Sequence, residues 1–141
     1  MAYLFDTDAI SETLRKKPNQ QYMQWLRTVS LEDCYTSAVV IGELYKGAYR
    51  LDPQSHLLQA IRERILPRMI VLPFDLHTSH IYGQINAELE NRGQMLAHAD
   101  LQIAATAIQH HLEVVTGNVR HFGRVPNLDV NQVLADSRRN S

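Results

Sequence analysis

The sequence contains a single cysteine, Cys34, among its 141 residues. One cysteine excludes an intramolecular disulfide framework and a zinc site made of several cysteines. No apolar run approaches the roughly 18–20 residues that a membrane helix needs, and the N-terminal segment lacks the basic start of a signal peptide. We therefore expect a cytoplasmic domain that folds around its own hydrophobic core.

The sequence also has little net charge, because 14 Lys and Arg stand against 15 Asp and Glu, giving −1. This balance argues against a protein that binds nucleic acid by bulk charge, which usually shows as a basic excess. Lysine is rare, with three Lys beside eleven Arg. Arginine binds phosphate or carboxylate better than lysine does, because its planar guanidinium can donate two parallel hydrogen bonds. Compositional drift in a GC-rich genome explains the same bias.

Short apolar runs alternate with helical patterns along the chain. Strands are predicted at 2–5, 34–37, 69–72, 112–116 and 128–130. Helices are predicted at 7–16, 22–29, 38–51, 55–66, 75–91 and 100–110, with a final turn at 131–134. This alternation predicts an α/β fold with a central, mainly parallel sheet of about five short strands between helices. We expect residues 1–135 to form a single domain and residues 136–141 to be a flexible tail.

Polar residues follow the predicted strands, at the edge where parallel sheets place their sites. Asp6 and Asp8 follow the first strand, and Asn118 follows the fourth. Glu43 lies in the helix after the second strand, and Asp100 opens the helix that leads into the fourth. Carboxylates gathered there would repel one another unless a cation neutralised them, and hard divalent cations prefer oxygen ligands. The pattern is consistent with one metal site.

Each of these residues also has a simpler structural interpretation. The three aspartates are good helix caps, and an acidic side chain is favourable at a helix N-terminus. Asn118 after Gly117 is typical of a turn. Glu43 lies at the border of its helix's apolar stripe and can pair in solvent with a neighbouring cation. Taken singly, none of them defines a function.

Four segments in order resemble the PIN-domain ribonucleases of the VapC type, the FitB-like toxins of type II toxin–antitoxin systems. They are LFDTDAIS at 4–11, SAVVIGELYKG at 37–47, ADLQIAATA at 99–107 and VTGNVRHF at 115–122. The resemblance spans nearly the whole chain. It implies the three-layer α/β/α sandwich of the PIN fold.

The resemblance also implies the catalytic set. Asp6, Glu43 and Asp100 match the three family acids, and Asn118 matches a fourth position that is Asp or Asn. Asp6 and Asp100 would hold Mg²⁺ or Mn²⁺, and Glu43 would complete the pocket. Asp8 stands where relatives often have Asn and is treated as a supporting residue.

The implied reaction is hydrolysis of RNA phosphodiesters by metal-activated water, in tRNA or rRNA loops. Thr7 and Thr116 would support the site. Arg120, His121 and Arg124 could contact the RNA backbone, although a solvated loop explains them equally well.

The implied partners are a small cognate antitoxin of the VapB or FitA type and a second copy of the chain. The toxin homodimer would form a heterotetramer or larger assembly with the antitoxin and would meet DNA only through it. Aromatic residues are favoured at interfaces, which makes Tyr22, Trp25, Tyr45 and Tyr49 candidate contacts. Tyr22 and Trp25 suit a hydrophobic core somewhat better.

Two other functions compete with the ribonuclease hypothesis. Asp6-Thr7-Asp8 after a strand also resembles the nucleophile loop of haloacid-dehalogenase-type phosphohydrolases. That family expects Thr or Val where this chain has Ile10, and no suitable later acidic pair follows. A non-catalytic domain that binds an antitoxin is the second alternative. His98, His110 and His111 lack the spacing of a zinc site and are interpreted as structural or surface residues.

Overall fold

The computed structural model describes residues 1–51 and 56–141. One parallel sheet has the strand order β3-β2-β1-β4-β5. The strands are β1 (Tyr3–Phe5), β2 (Cys34–Ser37), β3 (Ile70–Leu72), β4 (Glu113–Val115) and β5 (Val130–Asn131). The predicted parallel α/β sandwich of five short strands is confirmed.

Helices connect successive strands. They are α1 (Thr7–Thr13), α2 (Gln20–Arg27), α3 (Ala38–Leu51), α4 (His56–Ala60), α5 (Leu76–Asn91), α6 (His98–Gln109), α7 (Val119–Phe122) and α8 (Val133–Arg139). After α4 the chain continues as a π-helical segment, Ile61–Ile65, and then a 3₁₀ turn, Leu66–Arg68. The predicted start of that helix at residue 55 lies outside the described residues. Within the described ranges no helix is long and apolar enough to cross a membrane.

The position of β1 at the centre of the sheet decides where a site can form. β1 pairs with β2 on one side and with β4 on the other, so strand order reverses between β1 and β4. Ligands of open α/β sheets bind at such a reversal, outside the carboxyl ends of the strands. Leu4 and Phe5 are buried, and α6 is buried on almost every side. The two strand ends therefore lie on a rigid, close-packed support.

The C-terminal region differs most from the prediction. Residues 136–139 belong to α8 and are not a free tail, and Ser137 is 1% exposed. Its hydroxyl donates to the carbonyl of Val133 at 2.6 Å, and the Asn19 side-chain amide donates to the Ser137 carbonyl at 3.1 Å. The polar sequence of this segment suggests a solvated tail. The prediction is wrong because Asn19, which holds Ser137, lies more than 100 positions earlier and gives no local signal.

Smaller differences concern three other boundaries. The segment after β4, interpreted as a loop, contains the helical turn α7, which begins after Asn118. α6 begins at His98, so Asp100 is the third residue of its first turn and not the opening one. β5 pairs at Val130 and Asn131, where the prediction places a strand at 128–130.

Two of the four aromatic residues suggested as partner contacts belong to the core. Tyr22 is fully buried, and its hydroxyl donates to the carbonyl of Ala9 at 2.9 Å. Trp25 packs edge-on against Tyr3, with ring centroids 5.2 Å apart. Tyr45 is half-buried and Tyr49 is 58% exposed, so these two stay available to a partner.

Candidate active site

Asp6 lies directly after β1 and begins α1. Its backbone N–H donates to the carbonyl of Val115 at 3.1 Å, which ties it to the end of β4. Its carboxylate accepts from the Ala9 N–H at 2.8 Å and from the Thr116 hydroxyl. The residue is therefore a helix cap, as its sequence context allows, but it is also 5% exposed. Its known donors are neutral groups, so its negative charge is poorly compensated.

The electrostatics show that carboxylates converge on this point. Burial raises the pKa of Asp6 to about 7, although bonds from Thr116 and Ala9 lower it and the charges of Asp8 and Asp100 raise it further. Burial and the charge of Glu43 raise the pKa of Asp100, while His121 lowers it. Charges shift each other's pKa in this way only when they lie close together. Asp6, Glu43 and Asp100 are named here the acid pocket.

Glu43 reaches the acid pocket from the helix after β2. The Ser37 hydroxyl accepts the Val40 N–H at 3.1 Å and so caps α3. Glu43 follows one turn later, is half-buried, and accepts a hydrogen bond from the Thr7 hydroxyl. Thr7 thereby joins α1 to α3 at the edge of the pocket.

The residues after β4 form the other wall. Thr116 is fully buried; besides donating to Asp6, its hydroxyl accepts the Asn118 N–H at 2.9 Å. The Asn118 side-chain nitrogen lies 2.6 Å from Nδ1 of His121, one turn further along α7. His121 is exposed, and its influence on Asp100 places it at the rim of the acid pocket. Arg120 is exposed on α7 and Arg124 is half-buried after it.

Asp8 has a different environment from Asp6, two residues away. Arg138 of α8 donates to both of its carboxylate oxygens, at 2.8 and 3.0 Å. The same guanidinium donates to Glu12, which is 1% exposed, at 2.8 and 3.2 Å. Asp8, Glu12 and Arg138 are named here the arginine clamp. Sequence analysis missed Glu12 and Arg138, because no local pattern links positions more than 120 residues apart.

Three further histidines flank α6, at its first residue and just after its end. His98 bonds to the hydroxyl of Tyr82 at 2.7 Å through Nδ1. His110 ends α6, and His111 adopts a left-handed backbone with φ of 56° before β4. These positions agree with a structural or surface role, as the spacing argument predicts.

The acid pocket has the donor chemistry of a hard divalent cation. Among residues 1–51 and 56–141, no three His, Cys, Asp or Glu side chains are already arranged as a metal cage. A cage of three is not required, because Mg²⁺ usually takes one or two carboxylates together with water and substrate phosphate. Asp6 and Asp100 supply two mutually repelling carboxylates of raised pKa, which a cation would stabilise. The residues present therefore fit such an ion.

Three features indicate the class of protein. They are the parallel sheet, the reversal of strand order between β1 and β4, and the carboxylates gathered at that reversal. A family model described as the PIN domain matches residues 3–128. The chain belongs to the PIN-domain family. The haloacid-dehalogenase alternative is thereby replaced.

Several of the similar proteins are named as toxins or ribonucleases. Toxin FitB of Neisseria gonorrhoeae is 40% identical over 124 residues, covering 84% of this chain and 89% of that protein. The tRNA(fMet)-specific endonuclease VapC of Salmonella typhimurium is 30% identical over 131 residues, covering 92% and 96%. Among solved structures, VapBC2 of Rickettsia felis bound to a promoter DNA fragment has a TM-score of 0.83 at 27% identity, covering 93% and 98%.

Proposed function

We propose that this chain is a divalent-metal-dependent endoribonuclease and the toxin of a type II toxin–antitoxin pair. The observation that carries the proposal is the acid pocket at the β1–β4 reversal, where burial and neighbouring carboxylates raise the pKa of Asp6 to about 7. A buried, like-charged cluster is costly to keep unless it has a cationic ligand. The relatives named as VapC ribonucleases support the reaction class.

Asp6 and Asp100 would hold the cation. When bound, Mg²⁺ or Mn²⁺ would favour formation of hydroxide near neutral pH and offset the charge that develops on the phosphoryl oxygens. Glu43 would accept a hydrogen bond from the attacking water and orient it towards phosphorus. The water oxygen would form a bond to phosphorus as the bond from phosphorus to the ribose oxygen breaks. The proton of the water would pass to Glu43, and the departing ribose oxygen would take up a proton from solvent.

The remaining residues of the site hold that arrangement. Thr7 fixes the carboxylate of Glu43 through its hydroxyl donor. Thr116 donates to Asp6 and accepts the Asn118 N–H, which leaves the Asn118 side chain pointing along α7 towards His121. Arg120 and Arg124 would meet the RNA backbone beside the site, since phosphate contacts come mainly from such cations.

The proposed substrate is an unpaired RNA loop, of tRNA or rRNA, met in the cytoplasm. RNA readers prefer unpaired bases, which can be splayed out and brought to a shallow site. The Salmonella typhimurium relative is named as specific for tRNA(fMet), which favours tRNA among the possible targets.

The proposed partner is a small antitoxin of the VapB or FitA type. Next to Glu43, an apolar groove runs between α1, α3 and α4, lined by Leu14, Leu44, Ala48, Leu51, Leu57 and Ile61. Such a groove suits the apolar face of a short helical segment, which would cover the site. The chain would also form a homodimer, would assemble with the antitoxin as a heterotetramer or larger, and would contact DNA only through it.

The proposal is tested with purified protein and an RNA pool. Wild-type protein should cleave RNA with Mg²⁺ or Mn²⁺ and lose activity with a chelator, and Asp6→Asn should be inactive. New RNA 5′ ends mapped after induced expression, wild type against Asp6→Asn, would identify the target. Equal cleavage by both preparations would overturn the proposal. A protein that cleaves no RNA with any metal, yet binds an antitoxin tightly, would establish the non-catalytic alternative.

A further inference from the structure

The arginine clamp joins the last helix to the first. Arg138 uses Nη1 and Nη2 on the two oxygens of Asp8, at 2.8 and 3.0 Å, and Nε and Nη2 on Glu12. A planar guanidinium that binds a carboxylate with two parallel hydrogen bonds is fixed in direction as well as distance. The clamp therefore sets the orientation of the first turn of α1, which begins at Asp6.

The clamp also lies against the loop after β4. A Cβ placed on Gly117 would be 2.3 Å from Nη1 of Arg138 and 2.3 Å from Oδ2 of Asp8. The ion pair thus rests directly on the backbone between Thr116 and Asn118. Only glycine leaves room for this approach. One guanidinium consequently touches both chain segments that form the β1–β4 side of the acid pocket.

Glu12 explains why the clamp is held firmly. It is 1% exposed, and besides Arg138 it accepts the Asn19 N–H at 3.0 Å and Arg15 at 3.3 Å. Bonds from these groups and the charges of Arg138 and Arg15 lower its pKa, although burial opposes the shift. A buried charge that loses a partner is strongly destabilising, so the clamp has little freedom to open.

We propose that Arg138 is a positioning residue of the active site: its guanidinium fixes the first turn of α1 against the 116–118 loop. Asp8 is then the anchor for Arg138 and not a metal ligand. The inference rests on the proposed ribonuclease function for its effect on turnover. Its structural part, the ordering of two chain segments, is independent of that function.

The first test is amide hydrogen exchange of metal-free Arg138→Gln. Exchange should rise about tenfold or more at the Asn118 N–H and the Ala9 N–H, because a charged hydrogen-bond network at this site is lost. Arg139→Gln is the matched control, since Arg139 is the next residue on α8, has a side chain 73% exposed and pairs with Asp136 and not with the clamp. The control should leave both amides unchanged. Unchanged exchange at both amides in Arg138→Gln would overturn the proposal.

The second test is RNA cleavage at a temperature where each variant is folded. Arg138→Gln should lower kcat by roughly 10- to 100-fold with KM little changed, because small misplacements of catalytic groups cost this much. Arg138→Lys keeps the positive charge but lacks the planar guanidinium with its paired donors, so it should recover part of the lost kcat. Full kcat in Arg138→Gln would overturn the proposal.

The Asp8→Asn variant covers the case in which Arg138→Gln does not fold, because it keeps the ion pair between Arg138 and the buried Glu12. It should raise exchange at Asn118 and lower kcat in the same direction. The double variant should be no worse than Arg138→Gln alone, since the Arg138–Asp8 ion pair is already lost in that single variant. Losses that multiply in the double variant would make Asp8 an independent catalytic group and overturn its assignment as an anchor. If wild-type protein cleaves no RNA, the proposed function fails. The exchange result still tests whether Arg138 orders the first turn of α1 and the 116–118 loop.

Discussion

The acid pocket and the arginine clamp begin within two residues of each other yet have opposite electrostatics. Asp6 is buried among neutral donors, and its pKa is raised to about 7. Glu12 is even less exposed, but Arg138 and its other partners lower its pKa. Burial alone therefore does not distinguish a functional carboxylate from a structural one. A cationic side chain makes the difference in pKa, because Arg138 neutralises the clamp carboxylates while Asp6 has neutral donors. This difference fits the cation proposed for the acid pocket.

Removing the pocket carboxylates should have the largest effect. We expect Asp6→Asn and Asp100→Asn each to lower RNA cleavage by at least about 10³-fold, since a bound cation contributes several kcal/mol to the transition state. Asp6→Asn should keep its thermal stability, because Asn also caps helices and the buried charge is gone. Cleavage rates and melting temperatures of both variants test this. A stable, fully active Asp6→Asn protein would contradict the division between pocket and clamp.

Filling the space beneath the clamp should have the next largest effect. Gly117→Ala places a Cβ 2.3 Å from both Arg138 and Asp8, so we expect a loss of about 1–3 kcal/mol in unfolding free energy. Gly83→Ala is the matched control, because Gly83 is exposed in α5 with no atom near its Cβ position. That change should stabilise the helix slightly. Urea unfolding of both variants compares them, and equal stabilities would show that the clamp does not press on the loop.

Stability should depend on pH in opposite directions for the acid pocket and the arginine clamp, because the pKa of Asp6 is raised and that of Glu12 is lowered. Between pH 3.8 and about 7, folded metal-free protein keeps a proton on Asp6 that the unfolded chain has lost. Stability from this group therefore falls as pH rises through that window, by at most about 1.4 kcal/mol per pH unit. Glu12 has a lowered pKa, so its contribution is lost as pH falls below 4.5.

Matched amide substitutions check this reversal. Asp6→Asn should flatten the unfolding free energy between pH 3.8 and about 7, and Glu12→Gln should flatten it below pH 4.5. Both curves come from denaturant unfolding without metal and with a chelator present. The same window of change in both variants would contradict the comparison.

The smallest effect is expected at the rim. Arg120→Gln and Arg124→Gln should each weaken RNA binding and lower the slope of log affinity against log salt by about 0.7–1, as for one phosphate contact. Arg27→Gln serves as the control, because Arg27 lies at the end of α2, in a different part of the fold. Filter binding of catalytically inactive protein over a range of salt concentrations measures the slopes. An unchanged slope would place Arg120 and Arg124 outside the RNA interface.

The fold was largely predictable because its signals are local. β1 and β3 are short apolar runs. Caps such as Ser37 and Asp75 mark helix starts, because each accepts a hydrogen bond from the backbone three residues later. The acids of the pocket could be proposed because parallel strand ends share one edge. α7 was missed because four residues hold too little periodicity to distinguish a helical turn from the turn expected at Gly117-Asn118.

The clamp could not be predicted for a different reason. Arg138 belongs to a polar segment that resembles a solvated tail, and its partners lie 126 and 130 positions earlier. They meet because the chain folds α8 against α2 and towards α1. Such long-range ion pairs leave no trace in composition or periodicity. The role of Asp8 was equally hidden, since the sequence shows two similar aspartates with no sign that one of them is paired.

The separation of Arg138 from Asp8 has a consequence for the order in which the site matures during synthesis. All three acids of the pocket have been added to the growing chain by residue 100. The clamp needs residue 138, so a nascent chain carries every acid well before the two segments that present them can be locked together. A chain truncated between these points would contain all three acids but not Arg138. On the proposed ribonuclease function, this late completion of the site would delay damage to the message that encodes it.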